Sequence, residues 1–180
     1  MKGVLMGEPK EVPTRRAGRK RGVGFPSMAL ADAVASVVLV GQRGPEHSQD
    51  AFAAYLGHAT ANSGAFRNKV AALRDWGLLN RGERERIALS QLGTELVMSE
   101  ADGRRDPALL VAAFESCRPF GMLFNDSAKG IPLDFGRIRT TAVMRYGVAS
   151  EHADRFVDVF VRSAEFAGLA TTDGTTAVLR

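Results

Sequence analysis

Few residues in this sequence are placed to break or make covalent bonds. His47, His58 and His152 are scattered, without the HxxxH or HExxH spacing that lets two imidazoles of one helix share a metal ion. Glu46 beside His47 and Glu151 beside His152 fall at predicted helix starts, where the helix dipole favours an acid. Cys117 is the only cysteine, which excludes an intrachain disulfide and a thiolate zinc cluster. It has no neighbouring base and reads as a small buried hydrophobe within a helix. Gly22–Gly24 and Gly41–Gly44 match neither a P-loop nor a dinucleotide fingerprint. The chain is therefore expected to be no enzyme, with no catalytic residue, no metal and no cofactor.

Its cations are better placed, for binding phosphate and base edges. The 180 residues carry a formal net charge of +4, and residues 1–24 hold seven cations against two anions. The remaining 156 residues have 17 cations and 18 anions, so the body is close to neutral. The stretch 1–24 has glycines and prolines but no apolar periodicity and is expected to be a disordered arm. Its basic block (Arg15, Arg16, Arg19, Lys20 and Arg21) suits phosphates or a minor groove. It lacks the Arg-Gly-Arg-Pro centre of an AT-hook.

The elements that must position the other cations are marked by caps. Pro26 and Ser27 open a first helix with Leu30, Val34, Val37 and Val38 on one face, ended by Gly41 and Gly44. Ser48 caps a short second helix that stops at Gly57, and Ser63 caps a third. In the third helix Phe66, Val70 and Leu73 turn inward and Gly77 follows its end. At about 100° per residue, Gly64, Asn68, Ala71 and Asp75 then face outward, with Arg67 and Arg74 on one flank and Lys69 on the other. Leu78-Leu79 and Ile87–Leu89 read as a hairpin whose polar tip holds Arg81, Arg84 and Arg86. Ser90 caps a fourth helix, and residues 99–106 form a polar linker.

Beyond the linker, Asp106 and Pro107 open a helix with Leu109, Leu110, Ala113 and Phe114. Residues 119–132 read as irregular but apolar, Leu133–Tyr146 is expected to be a helix, and Ser150 is expected to cap a long helix ended by Gly168. Residues 169–179 form a hairpin. Leu73–Leu79 and Ala164–Ala170 place the helix-ending glycine and the following leucine in register, so the two halves read as a repeat.

The stretch SGAFRNKVAALRDWGLLNRGERERIALSQLG resembles a winged helix-turn-helix domain. The features that carry this are Gly77-Leu78-Leu79 after the third helix, the charged tip Arg81–Arg86, and Leu89-Ser90-Gln91-Leu92-Gly93 at the next helix start. The resemblance covers residues 25–98. With a second, degenerate unit over 107–180, it implies a mainly α fold with small β-hairpins, an α+β chain of tandem winged-helix units.

The resemblance also implies a double-stranded DNA partner read by the third helix. Asn68 suits adenine, Arg67 guanine or phosphate, and the small Ala71 lets the helix sit deep in the groove. Ser63, Lys69, Arg74, Arg81, Arg84, Arg86 and the arm join them as expected contacts. The expected role is a cytoplasmic, nucleoid-associated transcriptional regulator. Arginine outnumbers lysine 19 to 5, a bias that fits a GC-rich bacterial or phage genome.

The long helix of the second half carries a net charge of −2 between Glu151 and Ala167 and repels phosphate. Its expected role is packing, with Val159 exposed and Phe120, Met122, Leu123 and Phe124 supplying apolar area for a homodimer. The same four residues are candidates to line a small-molecule effector pocket. The alternative, kept open by the near-neutral body, is a protein-binding winged-helix scaffold like those of chromosome-segregation complexes. No apolar stretch is long enough to cross a membrane, since Asp32 breaks the longest, Met28–Val40.

Overall fold

Serine and aspartate caps begin most of the helices. The computed structural model describes residues 23–80 and 85–180, and among them lie eight α-helices and five short strands. Helix α1 (Leu30–Gly41) buries Leu30, Ala33, Val34, Val37 and Val40, while Val38 is half-buried. Strand β1 (Glu46–Ser48) leads directly into α2 (Gln49–Tyr55), because the Ser48 hydroxyl accepts the Ala51 N–H at 3.2 Å. Ser63 caps α3 (Gly64–Asp75) in the same way through Phe66 N–H, at 3.1 Å. Strand β2 (Arg86–Ala88) follows, and Ser90 then caps α4 (Gln91–Ala101).

The expected hairpin contact between Leu79 and Leu89 forms, with Asn80 N–H donating to the Ala88 carbonyl and Ser90 N–H to the Leu78 carbonyl, and an unexpected strand joins it. Leu79 meets Leu89 in a single bridge, and β2 takes its main partner in β1, with His47 opposite Ile87. A three-residue strand has too little alternation to be read from sequence. Helix α4 also runs into the expected linker, as far as Ala101.

In the second half Asp106 caps α5 (Pro107–Ser116), with Pro107 in the first turn as expected. The apolar stretch expected to be irregular is helix α6 (Arg118–Asp126). Cys117 stands at the junction of α5 and α6 with extended backbone, not inside a helix, and Pro119 sits in the first turn of α6, where a missing N–H costs nothing. The single helix expected over 133–146 is divided. Strand β3 (Pro132–Asp134) hands over to α7 (Phe135–Met144) at Asp134, whose Oδ1 accepts from Gly136 N–H at 2.7 Å and Arg137 N–H at 3.2 Å. Ser150 opens a 3₁₀ turn (Ser150–His152) rather than capping α8 (Ala153–Phe166). Strands β4 (Ala170–Asp173) and β5 (Thr176–Leu179) close the chain as an antiparallel hairpin.

The order of elements repeats. Each half runs helix, three-residue strand, helix capped by the strand's last residue, helix ended by a left-handed glycine, then two returning segments. In each sheet the first strand pairs with the last: β1 with β2, and β3 with β5. The helix ends match bond for bond. Gly77 (φ +71°) donates to the Arg74 carbonyl at 3.0 Å and Leu78 to the Leu73 carbonyl at 3.0 Å. Gly168 (φ +73°) donates to the Glu165 carbonyl at 2.9 Å and Leu169 to the Ala164 carbonyl at 2.8 Å. Both are the glycine-terminated helix end that satisfies the last free carbonyls.

One continuous core joins the halves. Phe120 of α6 lies at its centre, with ring centroids 5.6 Å from Trp76, 5.8 Å from Phe114, 4.9 Å from Phe156 and 5.5 Å from Phe160. Trp76, at the end of α3, is fully buried and donates its indole N–H to the Met28 carbonyl at 3.1 Å. Helix α1 packs on both α4 and α8. Helix α3 is thus anchored to the core along its length by Phe66, Val70 and Leu73, with Trp76 at its end, and its opposite face is exposed.

Candidate nucleic-acid interface

Helix α3 sorts its side chains as the sequence spacing predicts. Phe66, Val70, Ala72 and Leu73 are buried; Arg67, Asn68 and Ala71 are exposed; Lys69 is half-buried. The Arg67 guanidinium reaches back to the Asn62 side-chain oxygen at 3.5 Å, which holds it beside the N-terminal turn. Ser63 is occupied by its cap bond. The outward N-terminal half of α3 therefore offers a small residue, an amide and a guanidinium on one face, next to the positive end of the helix dipole. Arg74 is less available than expected: it is half-buried, and its Nε is enclosed without a hydrogen-bond partner among the described residues.

The adjoining sheet carries mixed charge. Arg86 Nε lies 2.6 Å from Glu46 Oε1 across the β1–β2 pair, both side chains about half exposed. The pair reduces the positive charge that Arg86 presents. Arg81 and Arg84 lie outside the described residues, as do Arg15, Arg16, Arg19, Lys20 and Arg21. Sequence reasoning passed over Arg43, which is exposed beside this sheet, its guanidinium 4.9 Å from the Tyr55 ring centroid.

His47 and His58 pack against aromatic rings, and His152 is exposed. His47 is buried, with Nε2 2.8 Å from the Gly44 carbonyl and its ring edge-on to Tyr55 at 5.2 Å. His58 sits edge-on to Phe66 at 5.6 Å, and its Nε2 is enclosed without a hydrogen-bond partner among the described residues. Among the described residues no group of three or more His, Cys, Asp or Glu side chains could hold a metal ion. Burial pushes the Cys117 thiol up to about 12, with the charge of Asp75 adding to the effect, so it stays protonated and unreactive at neutral pH.

The second half presents a different surface. The outer face of α8 carries Asp154, Arg155, Asp158, Arg162 and Glu165. Its acids and arginines pair locally: Arg139 with Asp154 at 3.2 Å, and Arg162 with Asp32 at 3.6 Å and Asp158 at 3.7 Å. The hairpin tip at Asp173–Thr175 carries no cation.

Four of the five residues expected at a dimer interface are spent on the chain's own core. Val159, expected to be exposed, is buried, because α8 is covered by other elements on more of its circumference than one apolar stripe suggests. Phe120, Leu123 and Phe124 are buried too, and only Met122 is exposed. Of the expected effector-pocket residues, Leu123 lines a surface cavity of about 320 Å³ with Arg137, Arg145 and Tyr146, while Phe120 fills the core.

Among the described residues no helix is long and apolar enough to cross a membrane. Comparison with protein-family models, with curated proteins and with solved structures finds no match to this chain.

Proposed function

We propose that this chain is a double-stranded DNA-binding protein built from tandem winged-helix units, acting as a transcriptional regulator in a bacterium or phage. The observation that carries the reading is the exposed face of α3, where Arg67, Asn68 and Ala71 project beside half-buried Lys69 while the opposite face is locked into the core. A helix entering a major groove needs small or hydrogen-bonding residues at its leading turns and a rigid attachment behind them. Asn68 is suited to a bidentate contact with adenine, and Arg67 to guanine or the adjacent phosphate. The repeated element order supports the tandem reading: α1–β1–α2–α3 and α6–β3–α7–α8 correspond, each followed by an antiparallel return, through the Leu79–Leu89 bridge and β2 in the first half and β4–β5 in the second. The second half then serves as packing, because the acids of α8 repel phosphate.

A protein-binding scaffold is the second reading, favoured by the Arg86–Glu46 pair, which leaves the sheet beside α3 with less free positive charge. Titrating a short duplex into ¹⁵N-labelled protein separates the two. DNA reading predicts amide shift changes concentrated on Gly64–Ala71 and near Arg86. Changes on α8, or none in α3, would count against it.

A further inference from the structure

The outer face of α1 carries an exposed stripe whose order of charge is complementary to itself when turned end for end. Asp32, Ala35, Leu39 and Arg43 lie within about 100° of arc on the helix and its C-terminal extension, at spacings of three and four residues. All four are exposed, and Leu39, at 41%, is among the few large apolar side chains of the chain that face outward. Beside this stripe runs a groove of about 350 Å³ between α1 and the side chains of Phe166, Glu100 and Arg105. Along α1 its wall is Ala31, Val34, Ala35 and Val38, so that side of the groove is apolar. Ser36, on the stripe beside Asp32 and Leu39, already gives its hydroxyl to the Asp32 carbonyl at 2.7 Å and loses nothing when covered.

We propose that two copies of this chain associate through α1, antiparallel about a two-fold axis, each inserting Leu39 into the groove of the other. The charge order selects this arrangement. Asp32 opens the stripe and Arg43 closes it, about 16 Å further along the axis. Turning a second copy end for end brings Asp32 of each chain opposite the partner's Arg43, and Leu39 to the level of the partner's Ala35, which lines the groove. A parallel pairing would instead set like charges against each other. Such a self-complementary patch is what an isologous interface requires. Ala35 and Ser36 let the helix axes approach closely at the crossing. Four of the five residues expected at a dimer contact are buried, whereas Leu39 is exposed and stands between an acid and a base on one helix face. The proposal is independent of DNA binding.

The test is sedimentation velocity on the full chain from about 5 to about 500 μM, since a contact of one helix pair is small and its affinity modest. Wild type should move from the 19.3 kDa chain mass toward twice that value. Leu39→Glu should abolish the shift with an unchanged far-UV spectrum. Asp32→Arg or Arg43→Asp alone should each weaken association by about tenfold or more, because each reversal acts twice about the axis. The double variant Asp32→Arg/Arg43→Asp should restore it.

Asp32 also faces Arg162 at 3.6 Å, and Arg43 also stacks on Tyr55. Those local contacts stay broken in the double variant, so only pairing between chains produces rescue. Wild type that stays monomeric throughout overturns the proposal. So does a dimer indifferent to Leu39→Glu, or one that the double variant fails to rescue.

Discussion

The backbone N–H of Leu30 donates to the hydroxyl of Ser163, 3.0 Å away and 133 residues later in the chain. Leu30 is the first residue of α1, and Ala29 before it has no side chain with which to cap the helix. Ser163, fully buried on α8, supplies the missing acceptor from the other half of the molecule. An N-terminal helix N–H buried without an acceptor costs free energy, so this bond ties helix capping to the packing of the two halves.

Ser163→Ala is therefore expected to lower stability by about 1–2 kcal/mol, the cost of leaving a buried N–H unsatisfied. Urea unfolding should show a lower midpoint with an unchanged slope. Two separate transitions in wild type would mean that the halves fold independently and that this bond does not couple them.

Gly93→Ala should be more damaging. A Cβ at Gly93 would stand 2.2 Å from the Leu78 carbonyl oxygen, a backbone atom that cannot rotate away. The crowding follows from Ser90, which accepts from Gly93 N–H at 2.9 Å and donates to the Gly77 carbonyl at 2.6 Å, drawing α4 onto the end of α3. A loss of about 2–4 kcal/mol is expected, in the range of overpacked or strained core substitutions. A thermal midpoint within a degree or two of wild type would refute the close approach.

These two glycine-and-serine contacts show what sequence reading could and could not reach. The pattern Leu-Ser-x-x-Gly was visible, as were Ser48, Ser63, Ser90 and Asp106 as caps, because capping is local and uses few residue types. The inward and outward faces of α3 followed from periodicity alone. Ser163 was not legible as the cap of α1, since nothing local links it to Leu30. Strands β1 and β3 escaped notice because three residues carry no period, and α6 because Gly121 and Pro119 read as loop residues. The exposure of Val159 was misjudged for a related reason: α8 keeps one charged outer face, but its buried arc is wider than one apolar stripe and takes in Val159. Arg67 and Asn68 lie where spacing placed them, but Arg74 proved half-buried, its Nε enclosed.

Cys117 gives a chemical test of the packing around α6. With its thiol pushed up to about 12 by burial, it should not react with a disulfide reagent at neutral pH until the protein unfolds. Its folded pKa is above the unfolded value, so the unfolded state releases the proton first. The stability it contributes is complete below about pH 9 and falls as pH rises from there toward 12. Rapid labelling of the native chain would contradict the buried junction.

Tyr146 should behave similarly at alkaline pH. Burial, then the hydrogen bond to Asp126 at 2.7 Å, raises its phenol to about 12. Ultraviolet titration should show this tyrosine ionising late, with stability present below pH 10 and lost as pH climbs toward 12. Asp126→Asn removes the carboxylate that opposes the phenolate, so ionisation should move to lower pH. An unmoved titration would remove Asp126 from the account.

The central claim, that α3 reads DNA, is tested most directly by the anisotropy of a labelled mixed-sequence duplex. The full chain and its Arg67→Ala/Asn68→Ala/Lys69→Ala variant would be compared at about 50 and about 200 mM salt. Each lost phosphate contact removes about 0.9 from the log–log salt slope. Wild type is expected to bind with a slope of several units. The variant, with an unchanged far-UV spectrum, should bind at least about tenfold more weakly, with a slope smaller by one to about two units. Equal affinity and equal slope for the two proteins would contradict it, and would turn attention from α3 to the basic stretch 1–24 and to a protein partner for the body.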